Sequence, residues 1–225
     1  MILELLQLSS PALPVGAYSY SEGLETLVEP GIIDTDKTLE DWLTQELTYG
    51  AIRLEAAMMV RAYHCTNQLD LTQLNDWNQW LSAARESSEL REQSWQMGNS
   101  LCRLLLEFES IQEQSNLKKC IEAVGKPCNY AIAFGMAAAS WQIDQNYAVL
   151  GYLQSWASNL ITAGVKLIPL GQTAGQKILL KLHPIILEST EEILALSDDN
   201  LVSCNWGLGL ASMAHETQYT RLFRS

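Results

Sequence analysis

The 225-residue sequence is poor in positive charge, with 14 Lys and Arg against 26 Asp and Glu, so its net charge is −12. Nonspecific binding to DNA or RNA needs Lys and Arg to displace phosphate counterions, and docking on an anionic membrane needs a basic surface. Neither nucleic acid nor a membrane is therefore an expected partner. The deficit is uneven, because residues 1–112 hold 17 acids and 6 bases whereas residues 113–225 hold 9 and 8.

The acids are densest between Glu22 and Glu46, where eight of them face only Lys37. Such a stretch could attract a cation, but a solvated acidic face is the commoner explanation.

Strand-forming residues are also scarce. The chain has 7 Val and 12 Thr against 36 Leu and 21 Ala, and Leu and Ala favour helices. With 48% apolar residues there is enough material for a sizeable core. No internal repeat, low-complexity tract or Gly/Ser linker marks a boundary. We therefore predict one all-α domain over residues 1–225, built as a helical bundle.

Motifs for metal binding and for export are missing. No two of the three His are three or four residues apart, and the five Cys include no CxxC pair, so no metal site is predicted. The first residues lack the basic region of a secretory signal. We expect free Cys thiols, most of them buried, in the reducing cytoplasm.

Motifs for catalysis are equally scarce. Residues 171–177 offer two Gly and a Lys, but they lack the ending of a phosphate-binding loop and follow no strand. There is no GxSxG elbow. No catalytic residue and no cofactor is predicted. Two alternatives stay open: a small all-α enzyme with a Cys or Glu in a bundle pocket, and a plain helical scaffold.

Periodicity and stop signals predict the helices. Pro11, Pro14 and Gly16 end a first short helix, and Thr35 or Asp36 caps the third. Leu90, Met97, Leu101, Leu104 and Phe108 share one face of a later helix. Pro169 ends one helix, and Pro184 starts a segment separate from the helix before it. The predicted helices after the first cover 20–29, the segment that carries Leu39, Trp42, Leu43, Glu46 and Leu47, then 50–66, 70–83, 86–110, a pair within 127–165, 172–182 and 201–217.

The pair within 127–165 is unusual because Asp144 is its only charge. Its polar residues are too many for a membrane span. An amphipathic surface helix would carry charges on its outer face, so both faces are expected to be covered. We predict a central helical hairpin that either extends into a homodimer interface, with Tyr147, Leu150 and Gln154 as candidates, or is fully internal.

Two segments suggest function. The Pro/Gly loop, residues 9–25, is stiffened by two Pro and presents two Tyr, and such defined loops often carry function. The C-terminal tail, residues 215–225, combines aromatic residues with two Arg, which are common anchors of interfaces. The tail either anchors a partner or docks on its own domain.

These segments carry a resemblance to a known family. The chain resembles the urease accessory protein UreF family, and the matches run in the same order along essentially the whole sequence. Ala17 stands where many members have Gly, and Arg224 differs from other members. The matching segments are PALPVGAYSYSEGLE at 11–25, ELR at 89–91, Gly98, GVKLIPLGQ at 164–172, Gly175-Gln176 and HETQYTRLF at 215–223.

The resemblance implies about ten helices and no catalytic activity. It implies a cytoplasmic adaptor that works with UreD (UreH in some organisms) and the GTPase UreG on the urease apoprotein. Together these proteins support carbamylation of the active-site Lys and insertion of nickel. The adaptor would recruit UreG, regulate its GTPase cycle, and form a homodimer within a two-to-two complex with UreD.

The resemblance also implies site residues. Tyr18, Glu25, Lys166 and Arg221 match family positions on the surface that responds to UreD and receives UreG. The full set of partner-binding residues that we expect is Tyr18, Tyr20, Glu25, Lys166, Gln172, His215, Glu216, Tyr219, Arg221 and Phe223. Arg221 can form forked hydrogen bonds, and we expect it to pair the tail with the Pro/Gly loop.

Overall fold

The computed structural model describes residues 2–108, 115–202 and 206–224. Within these ranges the chain forms eleven α-helices, two short 3-10 helices and no β-strand, which confirms the all-α prediction. The 3-10 helices span Ala17–Ser19 and Asp198–Asn200. The α-helices are α1 (Ile2–Leu8), α2 (Leu24–Val28), α3 (Asp36–Tyr49), α4 (Ala51–Gln68), α5 (Leu71–Ala84), α6 (Ser88–Glu107), α7 (Ser115–Val124), α8 (Tyr130–Ser140), α9 (Gln145–Leu167), α10 (Gln172–Ala195) and α11 (Trp206–His215).

Four helices begin at side-chain caps. Thr35 accepts from the Thr38 amide, Asp70 from Gln73, Ser87 from Leu90 and Asp144 from Asn146. Each cap satisfies an amide that the first turn leaves without an intrahelical partner. Thr35 is thus the cap of α3, one of the two predicted for it.

The centre of the bundle is α8, in which every residue from Ala131 to Ala139 is buried. It packs mainly on α4 and α6, while α9 packs on α10. Helices α4 and α8 approach closely because Gly135 has no side chain, and a Cβ there would overlap the Met59 carbonyl oxygen and lie 2.9 Å from the Ala62 Cβ. One continuous hydrophobic core extends from Leu8 to Phe223.

The uncharged stretch around residues 127–165 is therefore largely internal. Helix α8 is enclosed within the chain, but it packs mainly on α4 and α6 and only weakly on α9, so the two helices do not form the central hairpin that was predicted. Helix α9 instead leaves Tyr147 exposed and Leu150 and Gln154 half-buried. Among the helices within the described ranges, none is both long and apolar enough to cross a membrane.

Two helix predictions near the ends of elements are wrong. The helix predicted from residue 20 begins only at Leu24, because Glu22 and Gly23 have φ of 53° and 79° in the left-handed region. The apolar face predicted for α6 stops short of Phe108, which is 45% exposed and is the C-cap residue of the helix. Helix α7 was not predicted.

The prediction of a break at Pro184 is also wrong, since α10 continues through it to Ala195. Pro184 lies on the exposed side of the helix, where the Leu180 carbonyl that loses its hydrogen bond can bind water. The last helix, predicted to begin at Leu201, is described only from Trp206, and residues 203–205 lie outside the described ranges.

Four of the five Cys are free and buried, as predicted, and Cys204 falls outside the described residues. They are Cys65, Cys102, Cys120 and Cys128.

The contact at Gly135 predicts a selective loss of stability. Gly135→Ala should lower the free energy of unfolding by about 2 kcal/mol, because α4 and α8 must separate to admit one methyl group. Gly171→Ala is the control, since a Cβ there meets nothing within 4 Å and its effect should stay below about 1 kcal/mol. Urea denaturation measures both, and equal effects would contradict the prediction.

Candidate functional site

The Pro/Gly loop and the C-terminal tail meet on one side of the bundle. The loop turns at Gly16, whose φ of 84° lies in the left-handed region, and then forms the 3-10 helix that ends at Ser19. Leu13 and Val15 are buried and anchor it to the core. The Arg224 amide donates to the Ser19 carbonyl at 2.9 Å, so the end of the tail lies against the loop.

Glu25 at the start of α2 holds the tail. Its Oε1 accepts the Leu222 amide at 2.7 Å and its Oε2 accepts the Phe223 amide at 3.0 Å. The residue is 7% exposed, and a buried carboxylate is stable only when hydrogen-bonded. One side chain thus satisfies two consecutive backbone amides of the tail.

His215, at the end of α11, lies between two carboxylates and is fully buried. Its Nδ1 is 2.8 Å from Glu89 Oε2, and its Nε2 is 3.3 Å from Glu25 Oε2. The other oxygen of Glu89 accepts Arg221 Nη1 at 2.8 Å. Arg221 also donates to the carbonyls of Gln218 and Glu216.

The partner expected for Arg221 is therefore wrong. Its guanidinium pairs with Glu89 of α6 rather than with the Pro/Gly loop, because the loop is reached by the backbone of residues 222–224 instead. We call Glu25, Glu89, His215 and Arg221 the tail clamp.

Phe223 closes the clamp against the core. Its ring is buried, and Lys166 Nζ lies 5.6 Å above the ring centre, a cation–π distance. Five residues that the sequence singled out therefore lie together: Glu25, Lys166, His215, Arg221 and Phe223.

The other predicted site residues divide into two groups. Tyr20 is buried and its hydroxyl donates to Gln96 at 2.7 Å, so it supports the loop from within. Tyr18 and Tyr219 are 70% and 102% exposed and can reach a partner. Glu216 is exposed and accepts from Ser88. Gln172 is exposed at the start of α10, and none of the described contacts joins it to the loop or tail.

Sequence reasoning missed a polar cluster beneath the loop. Glu22 accepts hydrogen bonds from Gln93 at 3.0 Å and from Trp156 at 2.9 Å. A small cavity separates it from the buried ion pair of Glu55 and Arg85, and both sides of the pair line that cavity. The left-handed backbone at Glu22 is what turns its side chain inward, and no periodicity signals such a turn.

Burial, and after it the nearby Glu55 carboxylate, together raise the pKa of Glu22 to about 7.

The acidic stretch is therefore not simply a solvated face. Glu25 and Glu46 are buried and Glu22 is half-buried with its carboxyl bonded inward. The prediction of a solvated acidic face holds only for the remaining acids of that stretch, because the inward-facing ones interact with groups inside the fold.

The side chains of the loop, the tail and the nearby core are suited to binding rather than to nucleophilic attack. Burial raises the pKa of Cys65 to about 11 and raises that of Cys120, so both thiols are protonated at neutral pH. Across the described ranges no group of three or more His, Cys, Asp and Glu is placed to hold a metal ion. The nitrogens of His215 face carboxylates on opposite sides of its ring, which is a hydrogen-bonding arrangement.

Comparison with known proteins points to one family. The family model for UreF matches residues 33–183. A urease accessory protein UreF from a Nostoc species is 64% identical over 99% of this chain and 95% of its own length. Proteins of the same name from a Synechocystis species and from Chromohalobacter salexigens are 57% and 38% identical, over 99% and 98% of this chain and 97% and 93% of their own.

The buried carboxyl of Glu22 predicts a pH-dependent stability. Between its ordinary value of 4.5 and about 7 the folded chain keeps a proton that the unfolded chain has lost, so stability falls as pH rises through this window. Glu22→Gln should remove that fall, which amounts to about 3 kcal/mol. Urea denaturation at several pH values measures it, with exposed Glu29→Gln as control. Parallel curves for wild type and Glu22→Gln would contradict the prediction.

Proposed function

The chain belongs to the UreF family of urease accessory proteins, and on that premise we propose that it acts as a non-catalytic adaptor in urease maturation. It works in the cytoplasm with UreD (or UreH) and the GTPase UreG on the urease apoprotein. It recruits UreG, regulates its GTPase cycle, and so supports carbamylation of the active-site Lys and insertion of nickel.

The observation that carries this proposal is the joining of the loop and the tail into one surface. The tail clamp fixes the backbone of the tail. Three side chains are exposed on the two segments, Tyr18 of the loop (70%) and Tyr219 and Leu222 of the tail (102% and 64%). Exposed aromatic and aliphatic side chains on a fixed backbone lose little freedom on binding, which favours recognition of a protein. We call these three side chains the outer face of the clamp.

The alternative, an enzyme with a Cys or Glu in a bundle pocket, has less support. The Cys65 and Cys120 thiols are buried and protonated, and the two carboxylates beside the cavity already have partners, Trp156 for Glu22 and Arg85 for Glu55. Turnover of a metabolite by the purified chain without partners would favour this alternative.

We also propose that the chain forms a homodimer through α1, α9 and α10. Tyr147, Leu150 and Gln154 line a groove with Leu6 and Leu187 on the neighbouring helices. Leu6, Tyr147 and Leu187 are 60%, 51% and 54% exposed, and the groove has an apolar surface. A second copy of the same face would cover these side chains, and isologous contacts of this kind are the commonest in homodimers.

The outer face of the clamp predicts which residues recruit UreG. Tyr18→Ala and Tyr219→Ala should each weaken binding of UreG to the complex with UreD by about tenfold, because each removes an exposed aromatic anchor. Thermal stability should not change, since neither ring is in the core. Copurification and titration with UreG measure the binding, and urease activation measures its consequence.

The matched control is Tyr49→Ala, since Tyr49 is 79% exposed at the end of α3, outside the clamp. Binding that survives both clamp variants would contradict the proposed surface. A surface substitution is a sharper test than deletion of residues 215–225. Deletion would also remove His215 from between the carboxylates of buried Glu25 and half-buried Glu89 and destabilise the fold.

The groove predicts the effect of one charge on self-association. Tyr147→Glu should raise the dimer dissociation constant by at least about tenfold, because the carboxylate would lose its hydration in an apolar interface. Sedimentation over a range of concentrations measures it, with Tyr49→Glu as control. A wild-type chain that stays monomeric throughout, or an unaffected variant, would contradict the dimer.

A further inference from the structure

We propose that a groove between α5 and α6 binds an acidic peptide segment of a partner protein. The groove and the tail clamp both use α6, but they share no residue. The inference therefore goes beyond the function proposed above and does not rest on it.

Arg91 is the residue of the ELR segment that the tail clamp does not use. Glu89 belongs to the clamp, whereas Arg91 lies about 200° further round α6, since each helical residue turns by about 100°. Arg91 lines the groove instead.

The groove exists because α5 and α6 pack on different neighbours. Helix α5 packs mainly on α4 and α7, whereas α6 packs mainly on α8. Trp95 Nε1 of α6 donates to Ser82 Oγ of α5 at 3.0 Å and fixes the two helices against each other. Asn78 Nδ2 of α5 donates to the Pro127 carbonyl at 2.9 Å and fixes the segment after α7. The resulting groove of about 440 Å³ is formed before any partner arrives.

The groove is positively charged on a protein whose net charge is −12. Arg91 and Lys126 line it, and among the described residues around it none is acidic. Within the described ranges neither cation has an ion pair, although four other arginines each pair with a carboxylate: Arg53, Arg61, Arg85 and Arg221. Two cations that no internal carboxylate neutralises are available for carboxylates of a partner.

Arg91 is held in position for such a carboxylate. Its Cζ lies 5.6 Å from the centre of the Trp95 ring, and the bond from that ring to Ser82 fixes the ring. A guanidinium over an aromatic ring keeps the edge of its N–H fork free for a carboxylate. Because Arg91 is half-buried and already placed, it loses little freedom on binding.

The polar groups along α5 suit a peptide backbone. Asn75, Gln79 and Ser82 are spaced at i, i+4 and i+7, so they share one face of α5, and all three line the groove. Side-chain amides both donate and accept hydrogen bonds, as the backbone of an extended peptide does. Amides along one side and two cations nearby thus fit a peptide that carries Asp or Glu.

Two other classes of ligand fit this groove less well. A nucleic acid is a continuous chain of negative charges, which the net charge of −12 repels, whereas two cations suffice for two carboxylates. A small molecule needs a site that encloses most of its surface. Here Gln79, Lys126 and Pro127 are exposed, so the groove is too open for that.

Titration of the full-length chain with a capped pentapeptide, Ala-Glu-Ala-Glu-Ala, tests the groove. Alternate residues of an extended chain point to the same side, so both carboxylates can face the two cations. Nitrogen-15 NMR should show saturable shifts of the Trp95 indole N–H and of the Arg91 and Lys126 amides, with a dissociation constant of about 1 mM at low salt. The matched peptide Ala-Gln-Ala-Gln-Ala should bind at least about tenfold more weakly.

The wild-type titration decides the proposal without any variant. Raising NaCl from about 0.05 M to about 0.5 M should weaken binding of the acidic peptide, because salt screens exposed charges. Absence of shifts at about 10 mM acidic peptide, or equal binding of the two peptides, would overturn the proposal.

Arg91→Gln and Lys126→Gln should each weaken binding of the acidic peptide by about tenfold, because each removes one charge-assisted contact. The matched control is Arg103→Gln, which removes the same charge from an exposed position of α6 that does not line the groove, and it should bind as wild type. Equal weakening by all three substitutions would mean a nonspecific charge effect and would overturn the groove.

The same signals identify a different occupant. Tighter binding of a six-nucleotide oligothymidylate than of the acidic peptide would overturn the peptide in favour of a nucleic acid. Groove signals that shift with protein concentration in the absence of peptide would overturn it in favour of a second copy of the chain.

Discussion

The carboxylate of Glu25 is the group on which the arrangement of both chain ends depends. It binds two amides of the tail and faces His215, while α2, to which it belongs, is the continuation of the Pro/Gly loop. A carboxylate buried to this degree needs those partners, so the loop, α2, α11 and the tail are stabilised together or not at all. The surface proposed to receive UreG exists because this one side chain is directed inward.

The acid-rich first half of the chain thus serves two purposes. Most of its carboxylates lie on the surface, but Glu22, Glu25 and Glu55 are directed inward and each has a specific partner. Breaking one partner of such a group is far more destabilising than loss of a surface ion pair. The net charge of −12 therefore says little about stability, and the placement of three acids says much more.

The sequence allowed the helical class, most helices, the buried thiols and the family to be predicted, because periodicity, caps and ordered motifs are local signals. It did not reveal that α10 passes through Pro184, since tolerance of that proline depends on which side meets solvent. It named Glu25, His215 and Arg221 separately. Their joining through Glu89, and the inward turn of Glu22, depend on contacts between residues far apart in the chain and on one left-handed backbone position.

The helix at the centre of the bundle is made largely of alanine and glycine, and such residues have almost no rotamer entropy to lose on folding. The centre can therefore be ordered at small entropic cost and gains its stability from close backbone approach at Gly135 and Gly98. At these two glycines the helix backbone meets its neighbour directly, so no side chain there can repack into an alternative arrangement. Any change of shape on meeting a partner must then take place at the periphery, in the loop and tail, while α4, α6 and α8 behave as a rigid frame.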